Sequence, residues 1–345
     1  RQDTPKVRRF IRFLFHAPVL AGAALLLAAG PLPADRVAGL YDAEGVFADD
    51  RDEAFADALA QVLVRITGRR DMGGRAEVRA MLDNAASYAQ QFRQPAPGTL
   101  WVAFDGAALE RAVAEAGLPV WGPERPVTVL WVAVDAGGGR RFVLSSGAES
   151  EIETRLRDTL LAAAARRGIP VMFPLMDAED RARASFAEVW GGFEDSIRAA
   201  SARYGADAML VGRVNAGDTG FGRWTLLDDS GSQRWSGGLG DSLDRVADLF
   251  ATRFAVLSTG ESAAVRLTVD GVESAADYAR VLRFLERLTA VESCSVERVE
   301  GTEVLFRLAV RGDSAALEEA IGLGRVLARE LPAPGEPGLR YRVSR

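Results

Sequence analysis

The amino-acid sequence predicts a multidomain protein of the α+β or α/β class, in which small mixed sheets pack against helices. Three observations lead to this prediction. Apolar residues recur at three- and four-residue spacing over residues 54–66, which indicates an amphipathic helix. Residues 127–134 form an apolar, β-branched run that is typical of a strand buried on both faces. From residue 262 onward, the predicted elements follow the βαββαβ order of a ferredoxin-like domain.

The first predicted domain covers residues 35–123, after a leader over residues 1–34. A strand over residues 37–47 leads to Asp49 and Asp50, which stand where a helix N-cap belongs. Gly68 ends the helix that follows. The remaining predicted elements of this domain are a helix at 78–82, strands at 88–93 and 100–104, and a helix at 109–116.

The second predicted domain covers residues 125–259, and its buried strand comes first. The later part contains a meander whose hairpin turn lies at residues 228–231. Trp224 and Trp235 are expected to pair across this hairpin. The other predicted elements are a strand at 141–144, a helix that begins near residue 152 and ends at Gly168, a strand at 169–173, a helical region at 179–204, strands at 208–214, 224–227 and 233–236, and a closing helix at 243–254.

The third predicted domain covers residues 262–345 and is the ferredoxin-like one. Its predicted elements are a strand at 264–269, a helix at 275–288, paired strands at 293–299 and 304–310, a helix at 315–327, and a last strand at 339–343.

Residues 1–34 have the features of a secretory signal peptide. Arg8, Arg9 and Arg12 precede an uncharged stretch with an apolar core over residues 19–29. That core is shorter than the roughly 20 residues that a membrane-spanning helix needs. We therefore expect a cleaved leader and a periplasmic protein. The alternative is an uncleaved anchor in the inner membrane, with the rest of the chain facing the periplasm.

The predicted exported part lacks the side chains that most catalytic sites use. The only histidine is His16 and the only lysine is Lys6, and both lie in the leader. Without them, the exported part has no Ser-His-Asp site, no imidazole-based zinc site and no P-loop or Schiff-base lysine. Cys294 is the only cysteine and is expected to be a small buried side chain in a strand. The sequence therefore predicts no catalytic residues, no metal site and no cofactor.

Carboxylates are the catalytic groups that remain. Asp228 and Asp229 could serve acid–base chemistry in an enzyme that acts on glycans. The alternative is a polar hairpin turn, which the neighbouring serine and glycine favour.

The overall charge argues against a polyanionic partner. Removing the five cations and one anion of residues 1–34 leaves 37 basic and 47 acidic residues, a formal charge of −10. A strongly acidic chain repels nucleic acid and anionic membrane surfaces, so we expect neither as a partner. Membrane contact is expected only through an uncleaved leader.

Four residues are candidate contacts with a partner or ligand, or between domains: Trp101, Trp121, Arg125 and Trp131. Trp121 lies in a Pro- and Gly-containing loop. A tryptophan in a loop can anchor a partner. It can equally fill the joint between two domains, which is the more usual fate of an indole.

Two stretches resemble the bacterial domain of unknown function 2066 family over about residues 36–258. They are ADALAQVLVRITG at 56–68, and WVAFD at 101–105 followed by GLPVWG at 117–122, Arg125-Pro126 and Trp131. The middle segment, with YGADA at 204–208 running into LVGR at 210–213, resembles the small α/β domains of envelope assembly factors. Examples are the curli secretion lipoprotein and the N-terminal domain of the Tol system's propeller protein. These resemblances imply an exported Gram-negative protein without assigned catalytic residues.

Together these observations predict a non-catalytic periplasmic envelope protein that binds an unidentified protein partner or cell-wall component. The alternatives are a carboxylate-dependent enzyme acting on glycans and an accessory protein anchored in the inner membrane.

Overall fold

The computed structural model describes residues 39–147, 150–215, 220–257, 262–312, 314–331 and 338–344. The predicted leader over residues 1–34, with Lys6 and His16, lies outside the described residues. Within these ranges, three sheets and ten α-helices form a mixed architecture, so the predicted fold class is confirmed. None of the helices in these ranges has both the length and the apolar character needed to cross a bilayer.

The N-terminal sheet has three antiparallel strands in the order β1-β3-β2. Its elements are β1 (Asp42–Val46), α1 (Arg51–Thr67), α2 (Arg79–Asp83), β2 (Ala89–Arg93), β3 (Thr99–Phe104) and α3 (Gly106–Glu115). The Asp50 side chain caps α1 by accepting the Asp52 N–H, and Gly68 ends the helix at φ 70°. Within the described residues the first strand starts at Asp42, because Gly39 (φ 75°) begins a turn before it, and the predicted positions 37 and 38 lie outside the described residues.

The middle sheet is a three-layer unit with strand order β5-β4-β7-β8-β9, and β6 pairs with β4. Its elements are β4 (Thr128–Asp135), β5 (Arg141–Val143), α4 (Glu151–Arg167), β6 (Val171–Met172), α5 (Ala178–Arg183), α6 (Phe186–Gly191), α7 (Glu194–Ser201), β7 (Ala208–Asn215), β8 (Phe221–Asp228), β9 (Gly231–Gly238) and α8 (Leu239–Phe254). Helices α4 and α8 cover one face, and the helices between β6 and β7 cover the other. Because both faces are covered, β4 is buried at seven of its eight positions.

The predicted helical region at 179–204 is divided into short helices. Ser185 begins α6 with a capping box, in which Glu188 bonds back to the Ser185 N–H. Gly192, at φ 70°, ends the same helix about two turns later. These start and stop signals lie only a few residues apart, so a continuous helix cannot form across them.

The C-terminal sheet has five strands in the order β11-β12-β10-β14-β13. Its elements are β10 (Ser262–Asp270), α9 (Ala275–Arg287), β11 (Val291–Glu300), β12 (Glu303–Arg311), α10 (Ser314–Leu323), β13 (Leu327–Glu330) and β14 (Leu339–Val343). The predicted βαββα order is present, but two strands follow it rather than one. The last helix ends at Leu323, not residue 327, because Gly324 and the positive-φ Arg325 turn the chain into β13. Strand β14 then inserts between β10 and β13, parallel to β10.

Candidate functional site

Trp121 and Arg125 lie together where the segment between α3 and β4 crosses the ends of two helices. The Trp121 side chain is 1% exposed, and its backbone N–H donates to the Ile66 carbonyl at the end of α1. The Arg125 guanidinium carbon lies 3.8 Å from the centroid of the Trp121 ring. The pair therefore forms a buried cation–π contact between the N-terminal and middle sheets.

Arg125 is fully buried and has carbonyl oxygens, rather than a carboxylate, as its hydrogen-bond partners. Its guanidinium donates to five of them: Trp121, Gly122, Arg65, Arg167 and Gly168, at 2.8–3.2 Å. Three of these carbonyls lie at the ends of α1 and α4, where helical carbonyls lack partners and the helix dipole is negative. Desolvation is the largest effect on this group and lowers the pKa of Arg125.

The other two predicted residues lie elsewhere. Trp131 is fully buried in β4, and its Nε1 donates to the Ser201 Oγ at 2.8 Å. Trp101 is partly exposed on the open face of the N-terminal sheet, where its Nε1 donates to Asp42 Oδ2 at 3.0 Å and the Arg93 guanidinium lies 4.7 Å from its ring. The structure thus brings Trp121 and Arg125 together and separates both from Trp101 and Trp131.

The two aspartates considered for catalysis lie at the hairpin between β8 and β9. Asp228 Oδ1 accepts the Ser230 N–H at 2.8 Å, as in an Asx turn. Both aspartates also line a cavity of about 470 Å³ against α10. There the Arg253 guanidinium bridges Asp228, at 3.7 Å, and Glu319, at 2.9 Å. The described residues contain no group of three or more His, Cys, Asp or Glu side chains placed to hold a metal ion.

A second surface concentrates positive charge on strands β7, β8 and β9. Arg213 of β7 is directly opposite Arg223 of β8, and Arg234 of β9 is opposite Thr225, two residues further along β8. All three arginines are at positions that face the α6–α7 side of the sheet, because they alternate with residues of the opposite core. Three guanidinium groups therefore share one side of three adjacent strands.

Among the described residues, two of these arginines have no acidic partner. Arg234 pairs with Glu194 at the start of α7, whereas Arg213 and Arg223 form no ion pair with any carboxylate in the described ranges. Burial is the first cause that lowers the pKa of Arg213, and the charges of Arg223 and Arg234 lower it further. The arginines thus repel one another electrostatically.

Two exposed phenylalanines adjoin the arginines. Phe193, between α6 and α7, is 59% exposed, and Phe221, on the same strand and face as Arg223, is 56% exposed. The α6–α7 turn also contacts Arg213: a Cβ built on Gly192 would lie 2.2 Å from Arg213 Nη2. We call Arg213, Arg223, Arg234, Phe193 and Phe221 the arginine–phenylalanine surface.

Sequence reasoning missed this surface because it considered only the summed charge of the chain. The arginines are about ten residues apart, so no charge run marks them. The predicted meander did contain a usable signal. Counting back from the turn at 228–231 places position 223 on the same face as 225 and 227. An assumed register for the pairing of β7 with β8 would then have placed Arg213 beside Arg223.

Residues 34–122 match the family model described as Domain of unknown function (DUF8605).

The matched residues include all the strands and helices of the N-terminal sheet. The predicted membership of the domain of unknown function 2066 family is therefore wrong, and no family model supports the weaker likeness of the middle segment to envelope assembly factors. The motifs misled because the fold itself requires them: Gly68 and Gly117 both occupy φ 70°, and the apolar residues of 56–68 face the core. None of the curated proteins compared matches the chain.

Proposed function

We propose that this protein is a non-catalytic binding protein of the periplasm. In this proposal, residues 1–34 direct its export, and the arginine–phenylalanine surface binds an anionic partner in the envelope, either a protein or a cell-wall component.

One observation carries the proposal: Arg213 and Arg223 are directly opposite one another, and neither forms an ion pair with a carboxylate in the part of the chain that the structure describes. Like charges at directly opposite positions destabilise a sheet, by a few tenths to about 1 kcal/mol. The whole chain has acidic residues in excess, with a net charge of −6, so carboxylates that could pair with these arginines are plentiful in the sequence. An anionic partner would relieve this repulsion and would bind tightly for the same reason.

The phenylalanines add the apolar part of the interaction. Fully burying a phenylalanine side chain contributes about 1.5–3 kcal/mol. Phe193 and Phe221 are each more than half exposed, so a partner that covers them gains part of that energy. Aromatic residues, phenylalanine among them, and arginine are enriched at protein–protein interfaces relative to the rest of the surface.

The Arg223→Glu substitution tests the proposal, because binding and folding should respond in opposite directions. The new carboxylate would face Arg213 and replace a repulsion with an ion pair, so the free energy of unfolding should rise by a few tenths to about 1 kcal/mol. Binding of the anionic partner should fall by about tenfold or more. Arg140→Glu makes the same charge change at an exposed turn between β4 and β5 and should leave binding unchanged.

Site-specific photo-crosslinking in the periplasm supplies the binding measurement. A photoreactive residue at Ser236, which lies opposite Arg223, should give a defined adduct in wild-type cells and in the Arg140→Glu variant. The adduct should disappear with Arg223→Glu. Equal adducts in all three strains would refute the proposed surface. A photoreactive residue at Gly139, in the β4–β5 turn, is the position control, and an adduct there as strong as the one at Ser236 would show that the contact is not specific.

The acidic cavity against α10 favours a second candidate function, a carboxylate-dependent enzyme acting on glycans. Glycoside hydrolysis uses one carboxylic acid and one carboxylate. Asp228 and Glu319 both line the cavity, although Arg253 pairs with both of them. This alternative would be supported if the wild-type protein released reducing ends from purified peptidoglycan and the Glu319→Gln variant did not. We expect no release by the wild-type protein.

The anchored alternative concerns only the N-terminus. Sequencing of the mature protein should give Asp35 as its first residue if the leader is cleaved. Retention of residues 1–34 in the membrane fraction would support the anchor instead.

A further inference from the structure

We infer that the free edge of β9, next to the arginine–phenylalanine surface, accepts an extended acidic segment of a partner protein as an additional strand. This inference rests on the proposed function and specifies the partner's chemistry and its mode of binding.

The register of the β8–β9 hairpin determines which backbone groups of β9 point outward. Asp228 pairs with Gly231 across a two-residue turn, and such a closing pair exchanges both backbone hydrogen bonds. Hydrogen-bonded and non-hydrogen-bonded pairs then alternate along the hairpin. The N–H and C=O groups of Ser232, Arg234 and Ser236 therefore point away from β8, and no strand in the described ranges pairs with them.

Strand β9 has fewer of the features that prevent strand addition than the other edge strands of the described sheets. Natural sheets protect their edges by short length, bulges or charged side chains. The described sheets end in strands of five residues or fewer, apart from β9 and β11. Strand β11 contains two register shifts and the charged side chains Glu292, Glu297, Arg298 and Glu300. Strand β9 pairs without interruption at all eight positions, and its only charged residue is Arg234.

The same strand that offers the free edge also carries the positive charge. Ser232, Arg234 and Ser236 are on the face of the arginine–phenylalanine surface, because they alternate with Trp235 of the opposite core. A strand added to β9 would lie about 4.8 Å away, so its residues on that face would come within reach of Arg234 and the long Arg223 side chain. Carboxylates at alternate positions would complement these guanidinium groups. Main-chain hydrogen bonds would supply affinity and the alternate acidic side chains specificity, as in other cases of strand addition.

A defined peptide probe tests this arrangement on the purified protein. The probe is a fluorescein-labelled peptide of about ten residues that alternates glutamate with valine, which presents carboxylates on one face when extended. Its binding is followed by fluorescence polarisation. Ser236→Pro removes an outward N–H without removing a bond to β8, and proline is tolerated at such edge positions. Ser236→Ala keeps the N–H and is the matched control, and Ser232→Pro is a second variant of the same kind.

We expect Ser236→Pro and Ser232→Pro to weaken peptide binding by about tenfold or more, and Ser236→Ala to change it by less than about twofold. A peptide N-methylated at alternate residues should not bind. Circular dichroism and melting curves are used to check that each proline variant is folded.

The possible contrary results are distinguishable. If Arg223→Glu abolishes binding but the proline variants bind like wild type, strand addition is wrong and the proposed function stands. If Arg223→Glu also binds like wild type, the proposed surface is wrong as well. If the peptide fails to bind, whereas vesicles with anionic phospholipid bind in a manner that depends on Arg223, the partner is a membrane and the inference is overturned.

Discussion

Replacing Arg125 tests how the N-terminal and middle sheets are held together. Its guanidinium satisfies five carbonyls in a region without water access, and Arg125→Met would leave all five without this donor. A hydrogen bond to a charged group contributes about 1.5–3 kcal/mol to stability. Part of the total over the five bonds is offset in Arg125→Met, because the positive charge no longer has to be buried. We therefore expect a loss of about 3–5 kcal/mol in the free energy of unfolding.

Arg125→Lys is the more discriminating variant. Lysine keeps the positive charge but has three donors on one nitrogen, and it cannot stack flat on the Trp121 ring. A loss of about 1–3 kcal/mol, smaller than that of Arg125→Met, is expected. Arg140→Met, at an exposed turn, should change the free energy of unfolding by less than about 0.5 kcal/mol.

Urea unfolding followed by circular dichroism and tryptophan fluorescence provides the measurement. The two probes also report whether the sheets unfold together, which a protein with several cores need not do. If Arg125→Met and Arg125→Lys both fell within about 0.5 kcal/mol of wild type, the five carbonyl bonds would not stabilise this joint, and the reasoning would be refuted.

Three further predictions concern single groups. Burial raises the pKa of Glu110, which accepts a hydrogen bond from Tyr41. The stability that the protonated side chain contributes is therefore present below the ordinary carboxyl pKa and is lost as pH rises through the raised value. Glu110→Gln should consequently gain stability relative to wild type between pH 4 and pH 7, as measured in thermal melts. Burial also raises the pKa of Cys294 to about 11, so a thiol reagent at neutral pH should react with it more than about tenfold more slowly than with a free thiol, and the rate should still be rising above pH 9. Gly192 has φ 70° and lies against Arg213, so Gly192→Ala should lower the free energy of unfolding by about 1 kcal/mol and weaken partner binding. Unchanged binding would show that Arg213 does not contribute to the binding surface.

Local patterns predicted most elements of the fold. The spacing of apolar residues and the flanking cap signals of α1 indicated a helix between Asp50 and Gly68, and this prediction was confirmed. The Trp224–Trp235 pair was also confirmed, because a two-residue turn fixes the register of its hairpin. In each case the information lies within a few residues of the feature.

Non-local pairing was not predictable in the same way. Strand β13 is only four residues long, and β14 pairs with β10 more than 60 residues earlier in the chain. The residues within each of these strands do not determine which strand it pairs with. The five carbonyls around Arg125 escaped prediction for the same reason, since backbone acceptors leave no mark in the residue types.

The arginine–phenylalanine surface shows why composition was an incomplete guide to partners. A negative total is compatible with a positive surface, because the sign of a sum does not fix its distribution. The expectation of a protein or cell-wall partner remains a proposal, and the structure adds a specific surface on which to test it.

The most direct test of the proposed function measures the affinity of the alternating glutamate–valine peptide for wild type and Arg223→Glu while following the melting temperature of both proteins. The proposal predicts that the substitution weakens binding by about tenfold or more and raises the melting temperature. An Arg223→Glu protein that binds the peptide as wild type does, or that loses binding only because it unfolds, would contradict it.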